Sequence, residues 1–445
     1  MAERDAASVS IHGRVAGKLS SATKTPLLAI ILMATAILGL SAFMAWEVPR
    51  ISHVTAAHTD FIETLYGLRA FESGQNPYGN AVSAHVDALM AGHPLPPPPG
   101  GHYEHPFLYV LPQSLIYLPV TPLPDEAAIT VVRACTVALY IVALLALIGR
   151  FADALPVAGR VGLMLIGLAW WPFLSVILPI VQQAGTIFAL LVLATLAAER
   201  GQWFWSGVAC FLALLKPTES ALVVLVLAMW AIRWPAGRRP FLAGALAIGL
   251  PATALAFAVR PTWIPDWIRV LGMLQAGHFD YHVDLESAIA GLLGVPSILT
   301  WCAAIAVCGA CGVMAWRAAG RAARSSDPGA ERLWWWVGLM AVLTLLMVPR
   351  TGAYDIVIAL IAWFVALDSA RRLRTNARRL TYAALTGLLL AAGVLAYRDH
   401  AAAELPAIAV LLIVALWLCR LGRGDGKLFI LPGGLGRLGA EQPAR

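Results

Sequence analysis

Leu27-Leu28-Ala29-Ile30-Ile31-Leu32-Met33-Ala34-Thr35-Ala36-Ile37-Leu38-Gly39-Leu40-Ser41-Ala42-Phe43-Met44-Ala45-Trp46 is a run of 20 residues without a charged side chain. As a helix it is about 30 Å long, the thickness of the hydrocarbon core of a bilayer. The segment before it is polar through Lys24, and no convincing cleavage site follows. It therefore reads as a retained first span rather than the core of a signal peptide. Similar apolar windows recur as far as Cys419, and 60% of the 445 residues are hydrophobic while only 13% are charged. A soluble domain carries about 25% charged residues, so the excess apolar surface is expected to face lipid. The bilayer core offers the backbone no water, so spans are helices or closed barrels, and continuous apolar runs exclude the alternating barrel pattern. The expected fold class is all-α integral membrane: a polytopic bundle of about 12 transmembrane helices with a long first extracytoplasmic loop.

Spans fall at about 26–46, 126–149, 161–179, 184–198, 203–215, 217–232, 240–259, 287–316, 333–348, 352–368, 380–396 and 403–419. With a cytoplasmic N-terminus, cytoplasmic segments collect 24 of the 32 Lys and Arg, in clusters such as Arg233/Arg238/Arg239 and Arg371/Arg372/Arg374/Arg378/Arg379. That asymmetry obeys the positive-inside rule. Residues 107–123 are interrupted by Pro112, Pro119 and Pro122 and are read as an external or re-entrant helix. Residues 203–230 carry Lys216-Pro217 at their centre and admit two short spans or one kinked helix. The chain then divides into a cytoplasmic tail (1–25), a transmembrane domain (26–420) with external loops at 47–125 and 260–286, and a cytoplasmic C-terminal tail (421–445).

The six cysteines all lie in apolar segments, which suggests small buried hydrophobes rather than disulfides or a zinc site. Tryptophans near the expected boundaries, including Trp203, Trp234, Trp263 and Trp267, read as interface anchors. A polyproline stretch at 95–99 reads as a stiff spacer in the first loop.

Ionisable side chains of both signs gather on the expected external side: Asp60, Glu63, Arg69, His102, Glu104, His105, Lys216, Glu219, Arg260, His278, Asp280, His282, Asp284, Arg350 and Asp355 among them. Such a gathering at one face, partly within apolar segments, marks a binding site for something charged. His102, Glu104 and His105 bring metal-ligating types together, but not at a standard zinc spacing, and they equally suit the polar lining of a cleft.

Four stretches also carry a family resemblance. Asp60-Phe61 opens the first loop, followed by Gly74-Gln75-Asn76-Pro77-Tyr78. Phe107-Leu108-Tyr109 precedes Pro112 and Leu118-Pro119, with Val110-Leu111 interrupting the usual diproline. Gln182-Gln183 opens an apolar helix and is followed by Gly207 and Leu215-Lys216-Pro217. Val348-Pro349-Arg350 precedes Tyr354-Asp355, with Asp355 where many family members carry histidine and the segment's leading serine absent. In this order the stretches resemble glycosyltransferase family 87, membrane enzymes of the GT-C class. The likeness covers roughly residues 26–370.

The resemblance implies sugar transfer, of mannose or another hexose, from a polyprenyl-phosphate donor to a lipid or glycan acceptor at the extracytoplasmic face of the cell membrane. Such transfer needs a base for the acceptor hydroxyl. Asp60 stands where the class places its acid; its competing role is an N-cap for the helix that follows. Glu63 is the reserve. The leaving phosphate asks for cations, for which Lys216 and Arg350 are candidates; the alternatives are a salt-bridged lysine and an interfacial arginine. Tyr78, His102, His105, Tyr109, Gln183 and Asp355 are expected to line the substrate site. No cofactor, metal ion or nucleic acid is expected, and membrane lipids are the surrounding partner. A transporter or flippase of lipid-linked glycans is the competing class. It would carry charges at midplane and internal repeats, and no repeat is visible here.

Overall fold

The computed structural model describes residues 27–96, 103, 105–153, 155–170, 172–276, 297–323, 330–347 and 353–370, together with 381, 384–387 and 413–414. His102, Glu104, Arg350, the 278–284 segment and nearly all of the expected spans at 380–396 and 403–419 lie outside the described residues. Within them the chain is all-helical, with no strand.

Thirteen helices of eight residues or more are described, from α1 (Leu27–Ser52), α2 (Phe61–Glu72) and α3 (Asn80–Ala91) through α4 (Asp125–Phe151) and α5 (Val157–Ala169). They continue with α6 (Ala184–Glu199), α7 (Trp203–Ala213), α8 (Pro217–Arg233), α9 (Arg238–Val259) and α10 (Trp263–Ala276). The series closes with α11 (Ser297–Ala322), α12 (Ala330–Met347) and α13 (Ala359–Ala370). Among these, α4 and α9 are long and apolar enough to cross a membrane, and the pair formed by α5 and the turns over 172–180 is a third if its 43° bend belongs to one span.

The centre of the molecule is α6, whose side chains are buried almost all round, from Ala184 through Ala198. It is enclosed by α4, α7, α8 and α12, and α13 packs on α4 and α12. Where α7 crosses α9 the backbones nearly touch: a methyl group at Gly207 would sit 2.0 Å from the Phe241 carbonyl oxygen, and one at Gly244 would sit 1.9 Å from that of Phe204. Small residues permit such approach. The outer flank of α9 is different, with Leu242, Leu246, Leu250, Leu255 and Phe257 all exposed.

Two expected spans, at 161–179 and 352–368, take a different form. The 161–179 segment breaks after Ala169, because Trp170 leaves the helix in extended conformation and Pro172 cannot continue its hydrogen bonds. A π-helical turn, Pro172–Ile177, replaces it, pinned by Tyr140, whose ring stacks on Phe173 at 3.8 Å and whose hydroxyl donates to the Gly167 carbonyl at 2.9 Å. Residues 203–232 form two helices, not one kinked helix: α7 ends at Ala213, and Pro217 takes the first position of α8, where its missing N–H costs nothing. The 352–368 segment begins as a 3-10 turn, Ala353–Ile358, before α13. The region at 107–123 is not a long helix; it forms the turns Leu111–Ser114 and Leu115–Val120.

Candidate functional site

The loop between α1 and α2 is strapped to the start of α4. The Ala56 amide donates to Glu126 Oε1 at 3.1 Å, and Arg69 holds Asp125 at 2.6 Å together with the Thr121 and Leu123 carbonyls. This fixes Asp60 at the N-terminus of α2, the position of a helix cap. Its side chain does not cap. The carboxylate instead accepts a hydrogen bond of 2.5 Å from Gln182 Nε2, and the Asp60 amide donates to the Ile180 carbonyl at 2.8 Å. Asp60 is thus tied to the segment before α6, more than a hundred residues away in sequence.

Burial pushes the Asp60 carboxyl up to about 6, against the pull of Lys216, then of His105 and of the Gln182 hydrogen bond, while Asp355 adds a small upward push. Glu63, one turn along α2, is raised well above the ordinary range, by burial first and then by the negative charges of Asp60 and Asp87. Two carboxyl groups on one turn are thus both raised, Asp60 to about 6 and Glu63 well above the ordinary carboxylate range. Asp87 on α3 is buried and receives both the His105 amide, at 3.1 Å, and His105 Nδ1, at 2.8 Å. That pairing fixes the imidazole whose charge acts on Asp60.

Lys216 lies at the break between α7 and α8, extended as a residue before proline must be. Its ammonium pairs with Glu219, one turn into α8, and with Asp355 Oδ1 at 2.8 Å, both partners being fully buried. A lysine between two carboxylates has its charge already balanced. Any phosphate bound there would share the ammonium with them. Asp355 is paired with Lys216 and so reaches the site through it.

Tyr78 and Tyr109 join the same region through Gln182 and Phe107. The Tyr78 hydroxyl, held neutral by burial, donates to the Tyr109 carbonyl at 2.8 Å, and its ring packs on Phe107 at 5.1 Å. Tyr109 directs its hydroxyl toward Gln182 Oε1 at a long 3.5 Å. Gln183, expected to line the substrate site, instead donates from Nε2 to Thr64 on α2 at 3.0 Å, and its buried Oε1 has no hydrogen-bond partner. Its neighbour Gln182 is the residue that reaches the acid. Of the site residues expected from sequence, Asp60, Glu63, Tyr78, His105, Tyr109, Gln183, Lys216 and Asp355 are brought to one region by contact or electrostatic influence; His102 and Arg350 lie outside the described residues. Gln182 and Asp87 were missed as site residues. The glutamine pair at the head of an apolar helix was the visible signal for the first; nothing in the sequence marked Asp87.

Among the described residues no three His, Cys, Asp or Glu side chains are arranged to hold a metal ion, and Cys135, Cys210, Cys302 and Cys308 are in no disulfide. No protein-family profile, curated protein or solved structure matches the chain.

Proposed function

We propose that the protein is a multi-pass membrane glycosyltransferase with a GT-C-like bundle of about 12 spans. In this reading it transfers a hexose, mannose foremost, from a polyprenyl-phosphate donor to a lipid or glycan acceptor on the extracytoplasmic face. The observation that carries the proposal is the position of Asp60: a carboxylate at the N-terminus of a helix that leaves the cap unfilled, bonds instead to Gln182 and feels the charges of Lys216 and His105. An acid spared from capping and kept near neutral ionisation has the properties of a general base. The membrane setting is supported by the exposed leucines of α9, a contiguous apolar surface that water would not favour.

The chemistry follows from the groups present. Asp60 takes the proton of the acceptor hydroxyl as its oxygen bonds to the anomeric carbon. The bond from that carbon to the phosphate oxygen breaks, and its electron pair leaves with the lipid phosphate. Lys216 is the first candidate cation for the departing phosphate, which would share it with Glu219 and Asp355, and Arg350 is the second. Purified protein incubated with labelled polyprenyl-phosphate mannose or glucose and a panel of lipid and glycan acceptors should consume donor and yield a new glycoside. Passage of an intact lipid-linked glycan across liposomes, with no new glycosidic bond, would favour a transporter instead.

A further inference from the structure

The structure assigns Gln182 as the positioning residue that holds Asp60 in its proton-accepting state and aims its carboxylate, with the Arg133-held turn at 178–182 as its mount. The inference rests on the reading of Asp60 as the base, and deepens it.

The orientation of the Gln182 amide follows from its partners. Its Oε1 faces the backbone N–H of Gln183 at 2.8 Å. A backbone N–H only donates, so the oxygen must lie on that side and the NH₂ must face Asp60. The resulting 2.5 Å bond to Asp60 Oδ2 favours the ionised carboxylate and leaves Oδ1 for another partner. Burial works in the opposite direction. Gln182 is itself 2% exposed, so no solvent competes for its donor.

The mount is built with some strain. Val181 adopts φ 55° and ψ 44°, a left-handed conformation that a β-branched residue rarely takes. Around it the chain is held from outside: Arg133 Nε and Nη2 each donate at 3.0 Å to the Leu178 and Pro179 carbonyls, and the Ile180 carbonyl accepts from the Asp60 amide. The Gln182 amide closes the turn on the Ile177 carbonyl at 3.0 Å. A strained residue persists where its surroundings over-determine it, and such positions cluster at functional sites. Here the left-handed residue turns the chain so that the next side chain meets Asp60.

Several charged groups bear on the same carboxylate. Glu63 comes from α2 itself, His105 with its partner Asp87 from the loop and α3, Lys216 from the break between α7 and α8, Asp355 from the turn before α13, and Arg133 and Glu126 lie on α4, which packs beside it. The hydrogen bond to the Asp60 carboxylate comes from Gln182. Removing that donor should therefore move the titration of Asp60 without altering the surrounding charges.

The test is an infrared pH titration of the protonated carboxyl band, assigned to Asp60 by its loss in Asp60→Asn, in the intact protein in detergent. Gln182→Met keeps the bulk and removes the donor. It should move the midpoint upward by about one to two pH units, the loss expected for one hydrogen bond to a charged group. The acid limb of kcat/KM should move with it, while the KM for donor stays near that of the native protein. Gln182→Glu, closer in shape, is the second variant and should also bind its additional proton at higher pH. A midpoint unchanged in either folded variant overturns the assignment. The infrared band needs no turnover: an upward shift in a protein that transfers no sugar would sink the proposed function and leave the positioning of Asp60 standing.

Discussion

Asp60 shows how little a residue's type and place in sequence say about its task. An aspartate just ahead of a helix is expected to cap it, yet this one leaves the amides of α2 and bonds across to Gln182. The two roles separate on substitution. Asn caps nearly as well as Asp, so a capping Asp60 would tolerate Asp60→Asn. A base would not: turnover is expected to fall by about 10²–10⁴-fold with donor binding retained. The titration adds a second readout. Asp60 is raised from 3.8 to about 6, so the folded protein binds its proton more tightly than the unfolded chain does. The resulting stability is present below about pH 4, is lost as pH rises through about 6, and is absent at neutrality. Asp60→Asn should therefore raise the melting temperature at pH 7 while abolishing most activity, and in the native protein the rate should fall on acidification below about pH 6. Lys216 yields the opposite stability effect. Lys216→Met would leave Glu219 and Asp355 buried without their cation, at a cost of about 3–5 kcal/mol, which thermal unfolding in detergent would register. A melting temperature equal to that of the native protein would show that the triad carries little of the fold.

Among the elements, the crossing of α7 and α9 and the broken segment before α6 set the site. Gly207 and Gly244 bring the two helices together face to face, and α7 ends at the break that carries Lys216. Gly207→Val would drive its side chain into the Phe241 carbonyl, forcing the helices apart at a cost of at least about 1–3 kcal/mol. The matched control is Gly162→Ala on α5, where a methyl group meets nothing within 4 Å; there the shorter list of unfolded conformations should stabilise by about 0.4–1 kcal/mol. Denaturant unfolding of the two variants should give shifts of opposite sign. If Gly207→Val unfolds at the native midpoint, the close crossing does not contribute as described.

For the molecule as a whole, the charge asymmetry makes a topological claim that reaches beyond the described residues. In a cysteine-free background, single cysteines at Gly100 and Asp280 should label from outside the cell, and those at Ala236, Ser325 and Thr375 only after the cytoplasm is opened. Ala236 is exposed, whereas a side chain at neighbouring Gly237 would run into the ring of Trp203. Labelling of position 280 from the cytoplasm alone would place the second loop on the wrong side for the proposed site and remove the extracytoplasmic reading. The separation of carboxylates at Asp60, Glu63 and Asp87 from the Arg150–Glu199 pair, at the opposite end of α4 and α6, fits a molecule whose chemistry is at one end.

The sequence by itself determined the helical class, because apolar runs of spanning length leave the backbone no other way to satisfy its hydrogen bonds in lipid. It also made Asp60, Lys216 and Asp355 conspicuous, since ionisable groups are costly beside apolar segments. What it left open were the contacts among them. Lys216 is shared by Glu219 and Asp355, Asp87 holds His105, and Gln182 rather than Gln183 meets Asp60, the last of these through a left-handed Val181. The left-handed turn has no local signature: valine resists the conformation it adopts, and Arg133 on α4 and the backbone at Asp60 hold the turn from outside. Local propensity decides which segments are helices; the direction of a buried side chain is decided by groups from distant segments that compete for the same hydrogen bonds.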